Sequence, residues 1–198
     1  MVAALAVAKR QLRIAVSPNH NCKDHEARIL IDDEDLLGKD SCGLDPPDLA
    51  HQLASNDLRI RIGRCSCGTV GCDDIFADRR RKDGIVEWEA GGRAVEFDER
   101  DYDREVERFL CDRSWAPIER LAEFAADELL QGRTLNGLTF DWSSARIKAQ
   151  AMTYSFSAAG EQRLVEFTWD GQTIESAIEA TNQLLSEAYA SESKHRLA

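Results

Sequence analysis

The chain is predicted to be an α+β protein, an antiparallel sheet built from hairpins with about three helices packed on it. Three observations carry that prediction. Apolar and polar residues alternate with period two in several short runs, glycine-containing turns separate those runs, and three stretches switch to the 3.6-residue apolar stripe of a surface helix.

Leu12, Ile14 and Val16 give the first strand alternation. Leu58, Ile60 and Ile62 repeat it with Arg59 and Arg61 on the other face, so a half-buried strand leads straight into a cysteine-rich turn. Ile75 to Arg81 and Ile85 to Trp88 flank Lys82-Asp83-Gly84, and an Asp-Gly pair favours the positive φ angles of a tight hairpin. Arg93 to Phe97 is expected to extend that hairpin across Ala90-Gly91-Gly92. Tyr102, Val106, Phe109 and Leu110 then share one helical face. For the next helix Ser114 is the expected cap, Pro117 suits the first turn and Gly132 the stop. Its buried face is read as Ile118, Leu121, Ala122, Ala125 and Leu129.

The last third returns to strands. Leu138, Phe140 and Trp142 are expected on one face, followed by Ile147 to Phe156 and, after an Ala159-Gly160-Glu161 turn, by Val165, Phe167 and Trp169. A closing helix from Thr173 to about Tyr189 carries Ile174, Ile178, Thr181, Leu185 and Ala188 on one face. The polar tail after Ser191 is expected to fray. Val95-Glu96-Phe97-Asp98 and Val165-Glu166-Phe167-Thr168-Trp169-Asp170 each end a strand ahead of a helix, an echo that offers two similar half-units as a reading.

A length of 198 residues fits one domain over 1–198 with a core sufficient to fold without covalent staples, and 43% hydrophobic with 31% charged residues is ordinary globular composition. The net charge of −11, from 36 acidic and 25 basic side chains, repels phosphate backbones and anionic membranes. The expected partner is therefore another protein, a basic one, with no membrane and no nucleic acid. The apolar start, Met1 to Ala8, has no basic residue ahead of it and ends at Lys9 and Arg10, which fits neither an export signal nor a membrane span. Six cysteines in such a chain read as reduced thiols or metal ligands, and the expected location is cytoplasmic.

The chemically pointed feature is Cys65-Ser66-Cys67-Gly68-Thr69-Val70-Gly71-Cys72. A strand end followed by a glycine-bounded turn lets the chain double back so that the sulfurs of Cys65, Cys67 and Cys72 converge, and convergent thiolates suit zinc. A structural zinc site takes four ligands, so one must come from elsewhere. Cys22, Cys42, Cys111, His20, His25 and His51 are candidates, with Cys22 and His25 placed first because His20-Asn21-Cys22-Lys23-Asp24-His25 packs donors densely. Two other readings stand beside zinc: inert thiols around a tight hairpin, and redox chemistry between Cys67 and Cys72.

Locally, this cysteine segment resembles the post-SET zinc knuckle of lysine methyltransferases, where three such cysteines join a fourth from the catalytic domain. That resemblance implies metal at Cys65, Cys67 and Cys72. It stops at the segment: the chain carries no S-adenosylmethionine-binding or Asn-His-Ser motif, so nothing about methyl transfer is implied. More broadly, the order from Ile60 to Cys72, Val86 to Trp88, Phe97 to Tyr102 and Asp112 to Trp115 resembles a group of uncharacterised bacterial proteins. That resemblance implies a shared cysteine knuckle and brings no activity with it.

Other motifs lean toward structure. Arg79-Arg80-Arg81-Lys82 precedes Asp83-Gly84 and reads as a solvated hairpin tip before a phosphate contact. Asp32-Asp33-Glu34-Asp35 lacks the oxygen ligand and glycine of a calcium loop, because Leu36 and Leu37 stand there. Asp98, Asp101 and Asp103 suit a helix start. His25-Glu26 lacks the second histidine of a zinc-protease helix, and no nucleophile elbow or phosphate loop occurs. The expected function is thus a non-enzymatic structural or protein-interaction domain with a cysteine metal knuckle, of which an acidic inhibitor or immunity-type binder is one version. The alternative is an enzyme using the cluster as an open metal site or reactive thiol.

Overall fold

The computed structural model describes residues 8–19, 24–67 and 71–195. The α+β class and the antiparallel hairpin pairing are as expected. The chain divides into two compact units, Met1–Trp115 and Ala116–Ala198, each with its own apolar core.

In the first unit, β1 Leu12–Pro18, β2 His25–Ile31 and β3 Glu34–Asp35 form a three-stranded antiparallel sheet. Then come β4 Ser41–Cys42, α1 Pro46–Ala54, β5 Arg59–Cys65, β6 Asp74–Lys82, β7 Ile85–Ala90, β8 Arg93–Asp98 and α2 Glu99–Cys111, with the five strands paired in the order β4-β5-β6-β7-β8. Helix α1 lies outside the elements expected from the sequence, and it opens on Pro46-Pro47. Proline lacks only an N–H that the first helical turn leaves unpaired anyway, so the pair opens a helix that buries Leu49 and Leu53. The Asp83-Gly84 turn forms as expected, with φ of 52° and 76° and Lys82 opposite Ile85. Trp88, Phe97 and Tyr102 pack with ring centroids 5.7–5.8 Å apart in the core. Ile60 and Ile62 are fully buried, but Leu58 lies before β5 and is 73% exposed, against the expected alternation.

The second unit comprises α3 Ile118–Leu130, β9 Thr134–Leu135, β10 Leu138–Ser144, β11 Ala151–Ala158, β12 Glu161–Thr168 and α4 Ile174–His195, with sheet order β12-β11-β10-β9. Four helices therefore occur among the described residues, where about three were expected. Pro117 caps α3 without a side-chain bond, and Ser114 instead hydrogen-bonds Asp112. The buried face of α3 is rotated from the expected one: Arg120, Ala122, Glu123, Ala126 and Leu130 turn inward. A register shift between Phe140 and Trp142 breaks the alternation of β10 and leaves Trp142 36% exposed. Ile147, expected in a strand, is 61% exposed ahead of β11. Helix α4 continues to His195 instead of fraying after Ser191, and it buries Ala177, Ala180, Thr181 and Leu184; the side chain of Ala188 lies outside the described ones.

The internal echo marks the same local device twice. β8 and β12 are both edge strands, and an aspartate, Asp98 closing β8 and Asp170 just after β12, accepts backbone N–H bonds at the helix start that follows each. Asp98 accepts from Arg100 at 3.1 Å, and Asp170 accepts from Gln172 and Thr173 at 2.8 and 2.9 Å. The sheets themselves differ, with five strands in one unit and four in the other. No helix among the described residues is long and apolar enough to cross a membrane.

Candidate metal centre

The cysteines occupy the connection between β5 and β6, an antiparallel hairpin of the first unit. Cys65 ends β5, opposite Ser41 of β4 on one side, and its N–H donates to the Asp73 carbonyl at 3.0 Å on the other. The strand end is therefore fixed from both flanks. Gly71, at φ 77°, turns the chain into Cys72 through a backbone conformation that side-chain-bearing residues avoid. The result is that the sulfurs of Cys65, Cys67 and Cys72 all lie within 4.8 Å of one another, with Cys65 and Cys67 at 2.7 Å. Three thiolates around a shared zinc at about 2.3 Å would stand about 3.8 Å apart, so the donor set fits a metal ion after a small separation of the closest pair. Cys67 and Cys72 are exposed and Cys65 is half-buried.

Crowding three thiols has an electrostatic consequence. Sharing of hydrogen bonds with Cys67 and then Cys65, reinforced by repulsion from their charges, pushes the Cys72 thiol from 9.0 up to about 11. Folding thus favours its protonated form; whatever this contributes to the metal-free chain is present below pH 9.0 and is lost as pH rises to about 11. Alkylation requires the thiolate, so in metal-free protein Cys72 is expected to react slowly at neutral pH and to accelerate until about pH 11. Mass-spectrometric rates across that range test this, and a neutral-pH rate equal to that of an unperturbed cysteine would contradict it.

The other expected donors are not brought to the cluster. Cys22 and His20 lie outside the described residues. His25 begins β2, where its ring stacks 5.6 Å from Trp115 and its buried Nδ1 has no hydrogen-bond partner. It is not in the convergent set, which among the described residues contains no histidine, aspartate or glutamate. Cys111 is exposed at the end of α2, and His51 is exposed on α1. Cys42 comes nearer than its sequence position suggests. It is buried opposite Arg64, and its thiol donates to the Ser66 carbonyl at 3.7 Å, tying β4 to the knuckle from beneath. A two-residue strand gives no periodicity from which that placement could be read. Gly43 beside it is required, since a Cβ there would collide with the Ala27 carbonyl.

Neighbouring charges are already engaged. Asp74 pairs with Arg61 at 3.3 Å, and Asp48 with Arg64 at 3.5 Å. In the acidic turn, Asp32 and Asp33 sit at positive φ and pair with Arg10 and Arg13 at 3.0 and 3.1 Å, while Asp35 holds Arg28 at 2.7 Å. At the start of α2, Asp98 caps the helix, Asp101 pairs with Arg104 and Asp103 with Arg81. The basic run is split by its strand. Arg79 is buried, donating to the carbonyls of Leu53, Ser55 and Asp57, and Arg81 pairs with Glu99 and Asp103, whereas Arg80 and Lys82 face solvent.

Two clefts of the first unit, one lined by Arg10, Glu34, Asp35 and Arg93 and the other by Asp32, Asp98, Asp101, Glu105 and Arg108, hold ion-paired side chains and no cysteine, serine or histidine. The chain matches no family model, no curated protein and no solved structure.

Proposed function

We propose that the chain is a non-enzymatic structural or protein-interaction domain whose β5–β6 hairpin is pinned by zinc at Cys65, Cys67 and Cys72. The observation that supports this reading is the mutual approach of the three sulfurs within 4.8 Å on one braced turn. Cys22 is the fourth donor that this reading nominates. The zinc would hold the turn in one conformation by cross-linking its two ends; a protein that keeps such thiols reduced suits the cytoplasm. With a net charge of −11, the partner favoured is a basic protein, in the manner of an acidic inhibitor or immunity-type binder. Its complex is expected to weaken as salt rises.

Elemental analysis of untagged protein, coupled to thiol counting before and after chelation, tests the zinc. One zinc per chain, with the three knuckle thiols becoming titratable only after chelation, is the expected result. Protein without metal whose knuckle thiols titrate at once would overturn the reading.

A further inference from the structure

We propose that the same three thiols form a binding site for a three-coordinate thiophilic ion, trivalent arsenic being the type, which needs no fourth protein ligand. This rests on the thiol triad that also carries the zinc reading, and it names a further ligand class for it.

Three observations lead there. The convergent set is Cys65, Cys67 and Cys72, with no histidine or carboxylate joining it among the described residues. Two donors near by topology already have partners: the Cys42 thiol is turned to the Ser66 carbonyl at 3.7 Å, and Oδ2 of Asp74 is held by Arg61 at 3.3 Å. Cys67 and Cys72 are exposed, so the triad can be reached from solvent. Zinc must fill a fourth position to complete a tetrahedron, whereas trivalent arsenic forms three bonds in a pyramid and keeps a lone pair in the remaining direction. Charge points the same way. Three thiolates on a divalent ion leave one negative charge at the knuckle of a chain already at −11, but three on trivalent arsenic leave none.

The reaction balances without an oxidant. Arsenous acid, As(OH)3, condenses with three thiols: three As–S bonds form, three As–O and three S–H bonds break, and three waters leave carrying the thiol protons. Arsenic and sulfur keep their oxidation states.

The test uses the full chain, chelated and kept reduced, titrated in parallel with zinc and with arsenite. Zinc is read by competition with a chromophoric chelator, and arsenite by near-ultraviolet As–S absorbance, intact mass and thiol count. Expected are one arsenic per chain, the loss of three titratable thiols, an affinity reduced at least about a hundredfold in Cys72→Ser and in Cys67→Ser, and no change in Cys22→Ser. Circular dichroism of Cys67→Ser and Cys72→Ser, both at exposed positions, confirms that they fold. Stoichiometric zinc with no arsenic would overturn this proposal and leave the zinc reading standing. Arsenic binding lost in Cys22→Ser as fully as in Cys72→Ser would also overturn it, since the site would then need four thiols. Failure to take up either ion would remove both.

Discussion

Glu123→Ala is expected to destabilise the second unit by about 3–5 kcal/mol, the cost typical of removing one partner from a buried ion pair. Glu123 is 4% exposed on α3, yet its carboxylate is surrounded by donors: Ser144 Oγ at 3.1 Å, the Ala145 N–H at 2.9 Å, Arg146 Nε at 2.9 Å and Arg120 at 3.4 Å. Alongside, Ser143 donates its hydroxyl at 2.7 Å and its N–H at 3.2 Å to Asp127, so one acidic helix face is bonded to the end of β10. Truncation would leave the Ser144 hydroxyl and the Ala145 N–H buried without their acceptor and take the counter-charge from Arg120, itself 6% exposed. Chemical denaturation followed by hydrogen exchange of the β10–β11 peptides of this unit reads the effect. The double variant Arg120→Leu with Glu123→Leu should recover only the part due to burying Arg120 beside a lost carboxylate, because the Ser144 hydroxyl and the Ala145 N–H still lack their acceptor. A single variant that unfolds at the wild-type midpoint would show that the network contributes nothing.

Arg79→Ala should cost the first unit about 3 kcal/mol while changing retention on heparin little. Its guanidinium is 5% exposed and bonds the carbonyls of Leu53 at 3.0 Å and Asp57 at 3.1 Å, together with that of Ser55. These are the last turn of α1 and the segment after it, where helical carbonyls lack intrahelical partners and a cation is favoured. A hydrogen bond from a charged donor contributes about 1.5–3 kcal/mol, and the three bonds share one side chain, so their contributions overlap and do not add. Arg79→Lys should fall between, because an ammonium keeps the charge but not the planar fork that reaches three oxygens. Thermal unfolding and hydrogen exchange at α1 measure this. Unchanged stability together with a large drop in heparin retention would return Arg79 to the phosphate-contact reading.

Turn chemistry is local, so Asp83-Gly84, Gly91-Gly92 and Ala159-Gly160 all lie at positive φ where hairpins were expected. The inward residues of α2, Tyr102, Val106 and Phe109, were equally plain, since an apolar stripe on an otherwise charged helix leaves one choice of face. On α3 the same rule failed. Alanines and leucines lie on more than one side of it, and the side that turns inward is chosen by Glu123 and Arg120 finding Ser144, Ala145 and Arg146 on β10 and just after it. Hydrophobic periodicity cannot anticipate a buried charge whose partners lie some twenty positions away.

The knuckle divides in the same manner. Cys65, Cys67 and Cys72 converge because they share one short turn, so their spacing and the glycines between them were enough to group them. The surroundings of that turn depend on strand register. Pairing Ser41 with Cys65 and Cys42 with Arg64 brings a thiol from β4 under the Ser66 carbonyl, while β2 carries His25 to the ring of Trp115. Contacts within one turn follow from backbone geometry that neighbouring residues fix for themselves. Contacts between distant strands follow from which pairing buries the most apolar surface and satisfies the most backbone donors, a choice that exists only once the whole unit has folded.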